Sequence, residues 1–125
     1  MDANSKRKVM VIDDDQDHLQ ITRKILETKG FEVSTFGSCE DLVPNIKKFA
    51  PGVIFMDVAM SDLSGPEATE MLKSDSRWKD IPIVLFSGAH NLPARAAESG
   101  ADGWFAKPFT ADGLVACAER YSSNW

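Results

Sequence analysis

The feature that most constrains this chain is an alternation, repeated five times, of short strand-like apolar runs with longer stretches of helical periodicity. The strand candidates are Lys8–Ile12, Phe31–Phe36, Val53–Met56, Ile81–Phe86 and Gly103–Ala106. Helical candidates follow each of them, at about Asp17–Lys29, Asp41–Phe49, Pro66–Lys73, Leu92–Ser99 and Ala111–Tyr121. In the first helix Leu19, Thr22 and Leu26, with Ile21 and Ile25, form one broad stripe; Asp15 or Asp17 can cap its start, and Gly30 stops it. Apolar faces recur as Leu42, Val43, Ile46 and Phe49, then Ala68, Met71 and Leu72 behind a first-turn Pro66, and last Leu114, Val115, Ala118 and Tyr121. These stripes are core.

A strand covered by helices on both faces reads as continuously apolar, whereas an edge strand alternates or is short. Val9–Ile12, Val53–Met56 and Ile83–Phe86 are continuous. The second strand alternates as Phe31, Val33, Thr35, and the fifth is brief and carries Gly103. The second and fifth strands are therefore placed at the edges. The expected fold is α/β: a flavodoxin-like (βα)5 three-layer sandwich with a central parallel sheet of order 2-1-3-4-5.

At 125 residues the chain is expected to form a single domain over 1–125, its core running from about residue 8 to 121. Whether it is a whole regulator or a piece of a longer one stays open at this stage. Apolar residues at 43% and charged residues at 26% suit a soluble globular protein. Nineteen acidic against fourteen basic residues give a formal charge of −5, which disfavours direct nucleic-acid binding and anionic membranes. With no bilayer-length apolar run and an acidic start, the expected location is cytoplasmic. Cys39 and Cys117 are far apart and read as ordinary reduced thiols.

Under this topology Asp13 and Asp14, Asp57, Ser87 and Lys107 fall at the carboxyl ends of strands one, three, four and five, the edge where open α/β sheets gather their ligands. Three carboxylates converging there repel one another unless a cation joins them, and Mg²⁺ suits an all-oxygen set.

Four fragments in order, VIDDD, FMDVAMSDLSG, IVLFSGA and GWFAKPF, resemble the receiver domains of two-component response regulators, from about Lys8 to Tyr121. The resemblance implies that Asp57 is the phosphoacceptor, Asp14 a direct Mg²⁺ ligand, Asp13 a ligand through water, and the Ala59 carbonyl the last protein contribution. It also implies that Lys107 neutralises phosphoryl oxygens, that the Ser87 hydroxyl donates to them, and that Ser87 and Trp104 form a switch. The Lys107–Pro108 bond is usually cis in such domains. The implied partner is a histidine kinase or a histidine phosphotransfer domain. A downstream protein or tethered output domain is unspecified, and a phosphorylation-dependent homodimer is allowed.

The sequence also departs from the pattern. Trp104 stands where Tyr or Phe is usual, Ser61 replaces a common proline, and Asn91-Leu92-Pro93 lies in a shortened segment that should trim the fourth helix. Ala59 and Ala89 replace polar groups that handle the attacking water in some members, which implies a long-lived phosphorylated form. His90 reads as a loop histidine, and His18 and Trp78 carry no assignable role. Two rivals stand beside this reading. One is a haloacid-dehalogenase-type phosphohydrolase, disfavoured because Ala59 stands where its second acid belongs; the other is a degenerate receiver acting as a phosphorylation-independent binding module.

Overall fold

The computed structural model describes residues 7–58, 65–87, 99–106 and 110–121, with only the backbone of Ser87 and Ala106. Five strands, β1 (Lys8–Ile12), β2 (Glu32–Phe36), β3 (Val53–Asp57), β4 (Ile83–Ser87) and β5 (Gly103–Ala106), pair in parallel in the order β2-β1-β3-β4-β5. The helices are α1 (Gln16–Thr28), α2 (Leu42–Phe49), α3 (Gly65–Lys73) and a C-terminal helix, Ala111–Tyr121. The helix expected over Leu92–Ser99 lies outside the described residues except for Ser99.

Side chains on a strand alternate between faces, and the central strands sort their apolar residues accordingly. Met10, Ile12, Ile54, Met56, Ile83 and Leu85 form one core layer with Leu42 and Ile46 of α2 and Ala68 and Leu72 of α3. Val9, Val11, Val53, Phe55, Val84 and Phe86 form the other with Leu19 and Leu26 of α1 and Leu114 and Ala118 of the C-terminal helix. The continuous apolar runs therefore report a sheet covered on both faces. Cys39 belongs to the first layer and Cys117 packs on the second, both as thiols outside any disulfide. Among the described residues no helix is long and apolar enough to cross a membrane.

Two residues expected in core stripes face outward: Ile21 is 57% exposed, and Met71 is exposed on α3. Ile21 sits two positions, about 200°, from Leu19 on a helix turning ~100° per residue, so both cannot face the sheet. Thr69 is buried instead of Met71, its hydroxyl donating to the Gly65 carbonyl at 2.8 Å.

β2 begins at Glu32, one residue later than expected, for a reason in the backbone. Gly30, at φ 92°, ends α1 by donating to the Glu27 carbonyl, and the Phe31 N–H donates to Leu26 at 3.2 Å. That pair of bonds is a Schellman closure, so Phe31's N–H serves the helix end while its ring packs with Leu26. β4 starts at Ile83, two residues later than expected: Pro82 has no N–H, and the Ile81 N–H closes a turn onto Trp78.

Candidate functional site

The site is assembled at the carboxyl edge of the sheet. Ile12 pairs with Met56, so Asp13, next after β1, and Asp57, the last residue of β3, arrive at the same level. The β1–β2 ladder carries on through Asp13, whose N–H donates to the Phe36 carbonyl at 3.0 Å. Asp57 pairs with Phe86 of β4, and the Val58 N–H donates to the Phe86 carbonyl at 3.1 Å. The Gly65 N–H then turns back to the Val58 carbonyl at 3.0 Å to open α3. A Cβ on Gly65 would strike the Asp57 backbone carbonyl, so glycine allows α3 to start this close to β3.

Asp13, Asp14 and Asp57 each bring a carboxylate oxygen to within 4.8 Å of the other two. Asp13 is fully buried, Asp57 is 8% exposed, and Asp14 faces solvent. Two buried anions and a third at the mouth are mutually repulsive in a low dielectric, and hard oxygen donors at this spacing fit a small divalent cation that keeps part of its water shell. The three residues anticipated as metal ligands by side chain are therefore brought together.

Both oxygens of Asp13 hold protein donors. Oδ1 accepts the Asp15 N–H at 3.0 Å, and Oδ2 accepts Nδ1 of His18 at 2.5 Å. His18 is held in place by the start of its helix. Asp15 caps α1 through Oδ1, accepting the N–H groups of Asp17 (3.0 Å) and His18 (3.2 Å), which makes Asp15 rather than Asp17 the capping acid. The His18 ring also packs against Phe86 at 5.4 Å between centroids. His18, which had no assignable role in the sequence, thus touches the site. Its spacing, five residues beyond Asp13 in the first turn of a helix capped at Asp15, is the signal that could have found it.

The remaining anticipated residues fall unevenly. Ser87 ends β4 in register with Ala106, although its side chain is outside the described set. Lys107, Ala59, Ser61, Ala89, His90 and the Asn91-Leu92-Pro93 segment also lie outside the described residues. Trp104 is on edge strand β5, paired with Leu85, and is 50% exposed.

Over residues 9–119 the chain matches the family model of the response regulator receiver domain, and it belongs to that family. The C4-dicarboxylate transport transcriptional regulatory protein DctD of Rhizobium meliloti is 33% identical over 115 residues, covering 90% of this chain and 24% of DctD. Protein PilG of Pseudomonas aeruginosa is 28% identical over 116 residues, covering 91% of this chain and 86% of PilG. The solved structure of the chemotaxis response regulator CheY4 of Vibrio cholerae superposes with a TM-score of 0.85 at 27% identity, covering 94% of this chain and 99% of that one. In larger relatives the match is a small part: 10% of a hybrid signal transduction histidine kinase of Dictyostelium discoideum and 17% of protein RcaC of Microchaete diplosiphon. The chain is a receiver domain of the two-component type, a signalling module.

Proposed function

We propose that this receiver domain accepts a phosphoryl group on Asp57 from a phosphohistidine of a histidine kinase or phosphotransfer domain, with Mg²⁺ bound by Asp14 and Asp57 directly and by Asp13 through water. The observation that carries this reading is the convergence of three carboxylates within 4.8 Å, with Asp57 buried at the end of a central strand. The ion, when bound, offsets the carboxylate repulsion and the charge developing on the phosphoryl oxygens. An Asp57 carboxylate oxygen attacks phosphorus in line, the P–N bond breaks, and the imidazole leaves with its electron pair and is then protonated. β3 ends at that carboxylate, beside those of Asp13 and Asp14, and the Gly65 turn keeps the backbone behind it closed. Lys107 and Ser87 are assigned to the phosphoryl oxygens, as charge and hydroxyl donor, with the Ala59 carbonyl as a further metal ligand. Ser87 and Trp104 are assigned to the switch that alters the β5 face; the exposure of Trp104 supports its access to a partner.

The test is incubation with acetyl phosphate and Mg²⁺, followed by intact mass. The native chain is expected to gain one phosphoryl group, with no gain in Asp57→Asn or when Mg²⁺ is chelated. A native chain that stays unmodified, and whose tryptophan fluorescence ignores BeF₃⁻, would instead be a phosphorylation-independent binding module.

A further inference from the structure

We propose that His18 is a positioning residue for the metal site: its imidazole fixes the buried Asp13 carboxylate in the orientation from which that residue holds the ion's water. The inference rests on the metal-site reading above and adds a residue to it. Asp13 stands directly after β1 with no exposed surface, so its carboxylate depends on protein donors for the hydrogen bonds that water would otherwise supply. The Asp15 N–H addresses Oδ1. Nδ1 of His18 addresses Oδ2, so the imidazole bears on the second oxygen and with it on the rotation of the carboxylate.

The imidazole is itself anchored at two further points. Its backbone N–H is held by Oδ1 of the capping Asp15, its ring lies against Phe86, and its side chain is 19% exposed, so one edge reaches solvent. Phe86 is also the β4 partner of Asp57. The His18 ring thus bridges from the carboxylate beside β1 to the strand that supports Asp57. An ionised carboxylate only accepts, so Nδ1 carries the proton and Nε2 points away from Asp13. Outer-shell donors of this kind set the orientation of metal-site ligands, and their loss typically weakens metal binding about 10- to 100-fold. Here the sphere is mediated by water on the Asp13 side, so the lower end of that range applies.

The experiment compares the native chain, His18→Leu and His18→Asn by calorimetric Mg²⁺ titration, with phosphorylation by acetyl phosphate followed at several Mg²⁺ concentrations. Leucine keeps an apolar contact for Phe86 and removes the donor; the asparagine amide nitrogen can take the place of Nδ1. His18→Leu should bind Mg²⁺ about tenfold more weakly, lose phosphorylation at low Mg²⁺ and recover it at saturating Mg²⁺. His18→Asn should stay within about twofold of native, a rescue that loss of packing alone would not produce. Leucine affinity equal to native, or asparagine as weak as leucine, overturns the assignment while leaving the Asp57 reading intact. Should the leucine variant fail to fold, the asparagine result decides alone: weakened binding overturns the proposal, and near-native binding upholds it. A native chain that binds no Mg²⁺ sinks both readings together.

Discussion

The two edges of the sheet handle acidic residues in opposite ways. At the amino edge Asp102 and Asp75 are each paired with a cation. Nζ of Lys73 sits 2.6 Å from Oδ2 of Asp102 and donates to the carbonyls of Lys79 and Ile81 at 2.9 Å, while the same Asp102 oxygen accepts the Ile83 N–H at 2.8 Å. Nearby, Asp75 holds Arg77 at 2.7 Å. At the carboxyl edge Asp13, Asp14 and Asp57 face one another. The amino edge is therefore organised around ion pairs, and the carboxyl edge gathers like charges that a bound divalent cation would offset. Sites are commonly made where a fold accepts such a local conflict.

That contrast breaks first if the Lys73 latch is removed. Lys73→Met retains the stem that packs beside Gly100 and deletes the ammonium that ties the end of α3 to the segment before β4 and to the loop before β5. Two carbonyls and one carboxylate lose their donor, so the variant should be less stable by about 2 kcal/mol. Urea unfolding at neutral pH with an unchanged m-value would measure it. A change within error would mean that the amino edge is no more than solvated surface.

Most of the fold was legible in the sequence because burial on both faces leaves a one-dimensional trace: Val9–Ile12, Val53–Met56 and Ile83–Phe86 are unbroken, and they are the three central strands. The convergence of Asp13, Asp14 and Asp57 followed from that order alone. What the pattern could not carry was anything set by backbone bonding or by helix phase. Phe31 looks like strand, yet its N–H closes α1; Ile21 is apolar but lies outside the buried arc. His18 was missed because its meaning depends on which acid caps α1. With Asp15 as N-cap the ring comes back over Asp13, a side-chain relation that no apolar periodicity encodes.

The next effect has the opposite sign and belongs to the carboxyl edge. Asp57→Asn removes one of three clustered charges at almost constant shape, and without divalent ions it should stabilise the fold by about 1 kcal/mol, the part of the like-charge repulsion left after the hydrogen bonding of the buried carboxylate is weakened. Added Mg²⁺ should raise the native Tm more than that of the variant, because binding to the folded state alone is what stabilises. Thermal unfolding with chelator and with Mg²⁺ gives all four values. A less stable Asp57→Asn in chelator would show that hydrogen bonds, and not repulsion, dominate this edge.

The smallest effect sharpens the comparison from the paired side. Hydrogen bonds from the Arg77 side chain and backbone hold the Asp75 carboxyl down from 3.8 to about 2 in the folded chain. A carboxyl depressed by folding adds stability above its unfolded value and loses it as pH falls through the folded one. The Tm difference between native and Asp75→Asn should thus be flat above pH 3.8 and shrink steadily toward pH 2. Because the pair is solvent-facing, the difference should be small and should fade in high salt. A difference that persisted at pH 2 would trace to the turn geometry that Asp75 caps through the Arg77 N–H, leaving the Lys73 latch as the amino edge's one ion pair of consequence among the described residues.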